Sequence, residues 1–332
     1  MKHGGNIYKV AKRLDCKPSE IIDFSSNINS YHPSFQVEQT DEMILKYSDN
    51  SYKKLKKEIS KKYSINTKKM ALFNGATTAI FELFRGLKSE DVTLYAPLYS
   101  EYERAATEAS KKIRKINRFK NIYKKPKKRS IVVFVNPSTP DGKFYDLNAL
   151  FDIWEEQKCT VILDESFLEF EDLPSQRTRL KKNKRLYIIQ SFTKFHACAG
   201  VRIGAVFSNK KNIKKINTPR WNLSSFDVEF LTQRLGDEKF TLRAKEEHIK
   251  QKKKLFKILQ KSGLFSKIYP SDSNFFLVRS EVAEKIYTRL LENKILTRQC
   301  DNFDFLDKEY LRFALKEDPS LEVLKKALYA LS

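Results

Sequence analysis

Short apolar segments rich in β-branched residues recur along the first two thirds of the chain, and helical patterns separate several of them. Buried parallel strands have this composition because both faces of their sheet are covered. From residue 147 onward, Leu147, Leu150, Phe151 and Trp154 form one apolar stripe of a helix. The alternation predicts a doubly wound α/β domain with a mostly parallel sheet. The strand-like segments are VTLY (92–95), IVVFV (131–135), TVILD (160–164), LYIIQ (186–190) and IGAVF (203–207).

The order of elements changes in the last third of the chain. A long charged helix is expected near 241–262, followed by the strand-like NFFLV (274–278) and a helix around 281–293. The strand-like YLRFA (310–314) then precedes a final helix that carries a leucine stripe. Strands that mix with helices in this order predict a second, smaller α+β domain.

The chain carries 64 Lys and Arg against 41 Asp and Glu, a formal net charge of +23. A field of this sign attracts anions, either nucleic acid or small phosphorylated metabolites. The densest cluster, KKPKKRS (124–130), contains a proline and precedes a strand, so a loop is expected there. Because lysine is also spread through the helical segments, a solvated basic surface is favoured over a nucleic-acid site. Attraction of an anionic substrate remains the alternative use of the charge.

The four cysteines, Cys16, Cys159, Cys198 and Cys300, are widely spaced and form no CxxC pair. We therefore expect no metal site and no disulfide framework, which favours a reducing cytoplasm. The longest apolar runs are far shorter than a membrane span. The first residues contain no apolar core of a secretory signal. A cytoplasmic protein without a membrane partner is expected.

Lys194 lies in an unusual setting, within the apolar stretch QSFTKFHACAGVRIG. An ammonium group in apolar surroundings must find a partner or lose its proton. A desolvated lysine suits Schiff-base chemistry with an electron-accepting ring. Asp164 ends the segment TVILD, and the carboxyl ends of strands form the ligand-binding edge of open α/β sheets. Lys194 and Asp164 are therefore the candidate catalytic residues.

A ring of this kind needs a phosphate cradle and a stacking face as well as a carboxylate beside its nitrogen. FNGATTAIFELF (73–84) places a glycine-containing turn before a helix, whose free N–H groups can bind a phosphate. APLYSEY supplies an aromatic residue, and NPSTPDGK (136–143) is a further turn expected on the same edge. Ala76, Thr77 and an aromatic of APLYSEY thus complete a candidate cofactor site.

With these segments the chain resembles the fold-type I enzymes dependent on pyridoxal 5′-phosphate (PLP), and within them the histidinol-phosphate aminotransferase-like group. The resemblance covers nearly the whole chain. It implies that Lys194 of SFTK binds PLP covalently and that Asp164, thirty residues earlier, keeps the ring nitrogen protonated. It implies a homodimer, because Tyr47 matches a tyrosine that reaches the phosphate in the neighbouring subunit. The other implied cofactor contacts are Ala76, Thr77, Tyr99, Thr139, Ser191, Thr193 and Arg202.

Both ends of the chain resemble threonine-phosphate decarboxylases of cobalamin biosynthesis. HGGNIYKVAKRL with IIDFSSNIN is similar to their opening, and ILTRQCDNF with YLRFALK to their substrate-binding tail. Arginine suits both carboxylate and phosphate, because its planar fork matches either anion. Arg298 and Arg312 are then the implied anion anchors, and the sequence does not assign the two anions between them. The other implied substrate contacts are His3, Gly4, Asn27 and Thr139.

The resemblance also implies a domain division: an N-terminal segment (1–40) joined to the small domain, a large PLP-binding domain (41–220) and the small domain (221–332). Two positions depart from the aminotransferase pattern. The turn NPSTPDG carries Thr139 where NPNNPTG has its second internal asparagine, and Phe167 of DESF stands where many aminotransferases have tyrosine. Phe167 favours decarboxylation.

Three interpretations from different classes remain. The first is a decarboxylase of O-phospho-L-threonine or O-phospho-L-serine, and the second is a histidinol-phosphate-type aminotransferase. The third, a basic nucleic-acid-binding protein, leaves the ordered PLP residues unexplained. In a chain this basic, Arg298 and Arg312 can also be ordinary surface cations, and Tyr47 can be a core aromatic residue.

Overall fold

In the computed structural model, which describes residues 4–331, the strands form three sheets. The strands are β1 (Ile22–Asp23), β2 (Met70–Asn74), β3 (Asp91–Ala96), β4 (Lys112–Asn117), β5 (Ile131–Val135), β6 (Thr160–Asp164), β7 (Leu186–Ser191), β8 (Ile203–Phe207), β9 (Lys267–Ile268), β10 (Phe275–Arg279), β11 (Ile295–Leu296), β12 (Arg298–Gln299) and β13 (Tyr310–Ala314). The large sheet has the order β2-β8-β7-β6-β5-β3-β4. A second sheet has the antiparallel order β12-β13-β10-β9, and β1 pairs with β11 in parallel.

Helices pack against the sheets and connect half of the successive pairs of strands. They are α1 (Ile7–Leu14), α2 (Asp41–Leu45), α3 (Lys53–Tyr63), α4 (Gly75–Gly86), α5 (Glu101–Glu108), α6 (Asn148–Glu156), α7 (Lys210–Ile213), α8 (Ser225–Gly236), α9 (Glu238–Lys261), α10 (Ala283–Glu292) and α11 (Asp318–Tyr329). Short 3-10 turns occupy Pro18–Glu20, Thr67–Lys69, Leu168–Phe170 and Gln176–Lys181. The predicted stripe of α6 is confirmed, since Leu150, Phe151 and Trp154 are buried.

The large sheet is parallel except for β8, which runs antiparallel to both of its neighbours, β2 and β7. The sequence predicted β8 as a buried strand among parallel ones; its burial is confirmed and its direction differs. A parallel neighbour needs a crossover of about a dozen residues or more, usually a helix. Residues 192–202, which join β7 to β8, form turns and contain no helix, so the chain returns antiparallel.

Two apolar clusters pack on the faces of the large sheet and form the core of the large unit. One contains the α6 stripe together with Leu55 and Ile59 of α3. The same cluster includes Leu231 and Leu235 of α8. Side-chain packing therefore extends the large unit through α8, beyond the boundary predicted at residue 220.

The small unit has its own core, built around α9, α10, α11 and the antiparallel sheet. Val10 and Ala11 of α1 and Phe24 after β1 belong to this cluster. Pairing of β1 with β11 adds backbone hydrogen bonds between the N-terminal segment and the small unit. The first part of the N-terminal segment, through Phe24, thus packs with the small unit, whereas Asn29 bonds to the backbone of the large unit.

The mostly parallel α/β sheet and the smaller α+β unit have the architecture that the sequence predicted. Within residues 4–331, none of the helices combines the length and the apolar composition that crossing a membrane requires.

Candidate active site

A cavity of about 240 Å³ opens at the carboxyl ends of β6 and β7, between the large and small units. All the predicted site residues in residues 4–331 line it, except Tyr47. His3 lies outside the described residues. The predicted residues that line the cavity are Gly4, Asn27, Ala76, Thr77, Tyr99, Thr139, Asp164, Ser191, Thr193, Lys194, Arg202, Arg298 and Arg312.

Lys194 is half-buried in the turn that follows β7. Burial lowers the pKa of its amine to about 8, and the positive charges of Arg312 and Arg202 act in the same direction. The backbone of the turn is held by Asn29, whose N–H donates to the Lys194 carbonyl at 3.0 Å and whose side chain donates to the Phe195 carbonyl at 2.8 Å. A fixed amine that loses its proton near pH 8 rather than near 10.5 is suited to act as a nucleophile.

Asp164 is buried at the end of β6, with both carboxylate oxygens engaged. The Tyr102 hydroxyl donates to Oδ2 at 2.7 Å, and the Ser166 N–H donates to Oδ1 at 2.9 Å. Burial raises the pKa of the carboxyl, and the hydrogen bonds from Ser166 and Tyr102 oppose that rise. These two donors fix the orientation of a carboxylate that faces the cavity.

The amino end of α4 (Gly75–Gly86) contains the residues predicted to bind a phosphate. Gly75 has a φ of +78°, and a Cβ at this position would lie 2.8 Å from Nη2 of Arg202. On the other side of the turn, a Cβ on Gly204 would lie 2.4 Å from the Ala76 nitrogen. Two glycines therefore let the Arg202 guanidinium and the backbone of β8 approach the first N–H groups of the helix. A cation beside a helix N-terminus is an anion-binding arrangement.

Tyr99, Ser191 and Thr193 surround the amino end of α4. Burial raises the pKa of the Tyr99 hydroxyl, and its hydrogen bond with Thr77 opposes the rise. The hydroxyls of Ser191 and Thr193 lie 2.9 Å apart, and the Ser191 N–H donates to the Ser166 hydroxyl at 3.0 Å. Hydroxyl groups thus add further donors beside the helix N-terminus.

Arg298 and Arg312 occupy paired positions on the neighbouring strands β12 and β13. Arg312 donates to the Thr139 hydroxyl at 3.1 Å and to the Ser25 carbonyl at 3.0 Å. Arg298 donates to the Gln299 carbonyl and to the Asn302 side chain, both at 2.6 Å. Both guanidinium groups are buried, which excludes the alternative that they are surface cations.

The burial of these two guanidinium groups has an electrostatic consequence. Desolvation lowers the pKa of Arg312 to about 10, and it also lowers the pKa of Arg298. Burial lowers each pKa because it disfavours the charged form of the guanidinium. An anionic ligand would stabilise that charged form and so offset the desolvation cost. Nε of Arg312 is buried without a hydrogen-bond partner in the described part of the chain. The pair is suited to a ligand that carries two anionic groups.

Tyr47 does not line the cavity of its own chain. Its side chain is 82% exposed and stacks on Trp221, with ring centroids 4.9 Å apart. This exposure excludes the alternative that Tyr47 is a core residue. Its contact with a second subunit stays a prediction.

Several residues of the site were not predicted from the sequence. Tyr102, the donor to Asp164, follows Tyr99 by three residues, but nothing local links it to a carboxylate 62 residues away. Ser166 follows Asp164 by two residues, a spacing at which a strand-end carboxylate commonly accepts a backbone N–H. The remaining lining residues are Ser25, Ser26, Ile80, Ser100, Val135, Phe167, Asn302 and Phe303.

The residues present fit PLP. The ring nitrogen needs a fixed buried carboxylate, the phosphate needs a cationic helix N-terminus, and the aldehyde needs an amine of lowered pKa. Asp164, the Ala76 turn with Arg202, and Lys194 meet these needs within one cavity. Oδ1 of Asn27 is buried without a hydrogen-bond partner among residues 4–331, which leaves an acceptor for a ligand at the cavity wall.

Comparison with known proteins agrees with this geometry. The family model described as aminotransferase class I and II matches residues 19–331. The adenosylcobalamin biosynthesis bifunctional protein CobDQ of Leptospira interrogans is 30% identical over 95% of this chain and 39% of its own, so this chain spans about two fifths of that relative. Threonine-phosphate decarboxylase of Salmonella typhimurium is 25% identical over 98% of this chain and 95% of its own.

Among solved structures, the histidinol-phosphate aminotransferase from Clostridium acetobutylicum superimposes with a TM-score of 0.82 at 28% identity, covering 94% of this chain and 99% of that one. The resemblance inferred from the sequence is thereby confirmed. The chain belongs to the class I and II aminotransferase family, and its cofactor is PLP.

Proposed function

We propose that the protein decarboxylates an O-phospho amino acid, O-phospho-L-threonine or O-phospho-L-serine, to an aminoalkyl phosphate. The observation that carries the proposal is the pair Arg298 and Arg312, buried side by side in the cavity that contains Lys194. A substrate with a carboxylate and a phosphate supplies one anion for each guanidinium. Phe167, which lines the same cavity, supports the proposal because it offers no hydroxyl where many aminotransferases carry tyrosine.

The names of two relatives support the same substrate class. One is a threonine-phosphate decarboxylase, and the other is a bifunctional protein of adenosylcobalamin biosynthesis. The product would then be an aminoalkyl phosphate of the kind used for the cobamide nucleotide loop. The cytoplasmic location expected from the cysteines belongs to the same proposal.

Each residue has a distinct task in this reaction. Bound PLP supplies an electron sink for the bond that breaks. Lys194 holds the cofactor and, because its pKa is about 8, can give and take a proton near neutral pH. Asp164 holds a proton on the ring nitrogen, and Tyr102 and Ser166 keep the carboxylate aligned for it.

The two arginines decide which bond breaks. By binding both anions of one substrate, Arg298 and Arg312 fix the rotation about its α-carbon. That rotation selects the bond to the carboxylate rather than the bond to the α-hydrogen. Thr139 accepts a hydrogen bond from Arg312 at 3.1 Å and so helps to set the direction of that guanidinium.

A histidinol-phosphate-type aminotransferase is the second candidate. The observation in its favour is the close superposition on the aminotransferase from Clostridium acetobutylicum. Histidinol phosphate carries a phosphate and no carboxylate. This substrate therefore supplies an anion for only one of the two arginines.

The decisive experiment supplies each substrate separately and measures two products. We expect carbon dioxide from phosphothreonine or phosphoserine without a keto-acid partner. Glutamate formed from histidinol phosphate and 2-oxoglutarate, with no carbon dioxide from either phospho amino acid, would establish the aminotransferase instead. The two phospho amino acids differ by one methyl group, worth about 1–3 kcal/mol of discrimination, so both are assayed.

A matched pair of variants tests the role of the arginines. Arg298→Met should lose decarboxylation by on the order of 100-fold in kcat/KM, because a hydrogen bond to a charged group is worth about 1.5–3 kcal/mol. Arg279→Met is the control, since Arg279 lies in the same small sheet, pairs with Glu309 and does not line the cavity. Equal kcat/KM in Arg298→Met and Arg279→Met would contradict the proposal that Arg298 binds the substrate.

A homodimer is part of the proposal. Ile44, Leu45, Tyr47, Trp221 and Phe226 are large apolar side chains exposed on and near α2 and α8, which lie against each other. A second copy would cover this surface and bring Tyr47 to the neighbouring cofactor. Leu45→Glu should yield a monomer in sedimentation, whereas Leu242→Glu, an exposed leucine of α9, should not. A monomeric wild type contradicts the proposal.

A further inference from the structure

Arg118 forms a buried ion pair just outside the cavity. The residue follows the edge strand β4, and its side chain and that of Asp141 are 1% and 3% exposed. Nη1 donates to one carboxylate oxygen of Asp141 at 2.9 Å, and Nη2 donates to the other at 2.5 Å. The Ser138 hydroxyl also donates to Asp141, at 2.7 Å. Neither Arg118 nor Asp141 lines the cavity, so neither belongs to the binding surface described above.

The remaining donors of Arg118 reach one carbonyl in each of two turns and one hydroxyl. Nε donates to the Pro97 carbonyl at 3.2 Å, and Nη2 donates to the Thr139 carbonyl at 3.2 Å. Nη1 also donates to the Tyr145 hydroxyl at 2.9 Å. A guanidinium has five N–H donors in a rigid fork, and all five are used here.

These two turns carry residues that face the cofactor site. Pro97 precedes Tyr99 in APLY, and Thr139 lies in NPSTPDG. Thr139 is contacted twice, at its carbonyl by Arg118 and at its hydroxyl by Arg312. A displacement of Arg118 would therefore shift both Tyr99, through the Pro97 turn, and Arg312, through Thr139. In the aminotransferase pattern NPNNPTG a neutral threonine occupies the position of Asp141, so that pattern lacks the carboxylate of this pair.

We propose that Arg118, paired with Asp141, is a positioning residue that sets the separation of the Tyr99 and Thr139 turns at the cavity. An ion pair with a purely structural role would only stabilise the fold. Its replacement by a well-packed apolar pair would then leave the geometry of the cavity unchanged. A positioning residue acts differently, because the apolar pair cannot donate to the Pro97 and Thr139 carbonyls. The proposal rests on the cofactor assignment and not on the identity of the substrate.

Two variants separate these roles. Arg118→Lys keeps a positive charge for Asp141 but has a single ammonium in place of the fork. The double variant Arg118→Met with Asp141→Leu removes both charges and leaves no unpaired ion, a change that buried pairs commonly tolerate. Leu150→Ala is the control, because it removes buried methyl groups from the core of the same unit without touching the cavity.

The readouts are Tm, the circular dichroism of the lysine-bound cofactor in the visible range, the PLP dissociation constant and kcat. We expect both Arg118 variants to change the visible dichroism without substrate. We also expect a loss of about 100-fold in kcat, the effect of misplacing a reacting group by about 1 Å. Tm of the double variant should stay near that of the wild type.

Two outcomes overturn the proposal. One is wild-type dichroism and kcat in the double variant and in Arg118→Lys. The other is an equal change of dichroism in Leu150→Ala at the same loss of Tm, which would assign the effect to stability. Because the dichroism and the PLP affinity are measured without substrate, an error in the proposed reaction does not affect them. If the double variant fails to fold, Arg118→Lys alone decides between these outcomes.

Discussion

The pH dependence of cofactor attachment tests the electrostatics of Lys194 directly. Only the unprotonated amine can attack the PLP aldehyde, and burial lowers the pKa of Lys194 from 10.5 to about 8. At pH 7 a pKa of about 8 leaves about 10% of the amine unprotonated, against about 0.03% at the ordinary value. The site thereby raises the reactive fraction by about 300-fold.

Substitution of Arg312 is the change that best tests the pKa of Lys194. After burial, its charge contributes most to the lowered pKa of Lys194, followed by that of Arg202. Arg312→Met should raise the pKa of Lys194, because the protonated amine no longer faces that like charge. The burial remains, so the pKa should stay below 10.5. Cofactor attachment at pH 7 should then be slower than in the wild type, and the difference should shrink as the pH rises.

The assay mixes apoenzyme rapidly with PLP and follows the visible band of the lysine-bound cofactor at a series of pH values. The wild-type rate should rise through about pH 8 and level off above it. The attachment rate of Arg312→Met should rise and level off in the same way, but with its midpoint at a higher pH. Arg298→Met is the control, since Arg298 is a neighbouring buried arginine that is not among the groups that shift Lys194.

Two results would refute this reasoning. A wild-type midpoint near that of an ordinary lysine would show that the amine is not desolvated. A midpoint that moves in Arg298→Met and not in Arg312→Met would show that the wrong guanidinium faces Lys194.

Three further predictions concern single residues. Lys194→Ala should abolish turnover while the protein stays folded and holds PLP less tightly, and borohydride reduction of the wild type should label only the peptide that contains Lys194. Asp164→Asn should lower kcat by on the order of 10²–10³, the effect of removing one fixed electrostatic partner, and near-normal kcat would show that the carboxylate is not paired with the ring. Gly204→Ala should cost about 1–3 kcal/mol of unfolding free energy and weaken PLP binding, because its Cβ would press on the Ala76 nitrogen, whereas Gly200→Ala, with open space around it, should do neither.

Local sequence patterns were sufficient for most of the buried strands of the large sheet, and the candidate site needed the resemblance to a known family as well. The buried strands β5 and β6 coincide with the predicted IVVFV and TVILD, because a short β-branched segment buried on both faces is a local signal. Lys194, Asp164 and Arg202 were recognised from their order and spacing together with the resemblance to a known family. The cavity brings these three residues together, as that resemblance implied.

Only the tertiary structure decided how distant residues pair. β4 was not predicted, because its sequence KIRKIN is mostly charged and its two isoleucines lie three residues apart, which does not match the period of two that marks a strand. The direction of β8 follows from the turns before it, and the attachment of α8 to the large unit follows from where Leu231 and Leu235 pack.

The same limit applies within the site. The hydrogen bond from Tyr102 to Asp164 joins residues 62 positions apart, and the bond from Arg312 to Thr139 joins residues 173 positions apart. The ion pair between Arg118 and Asp141 depends on two loops meeting at one sheet edge. Periodicity and spacing in the sequence indicate the helix or strand to which a residue belongs and the face of that element on which it lies. Which side chains from different elements meet is set by packing of the whole chain, because a polar group is satisfied by whichever partner the fold brings within reach.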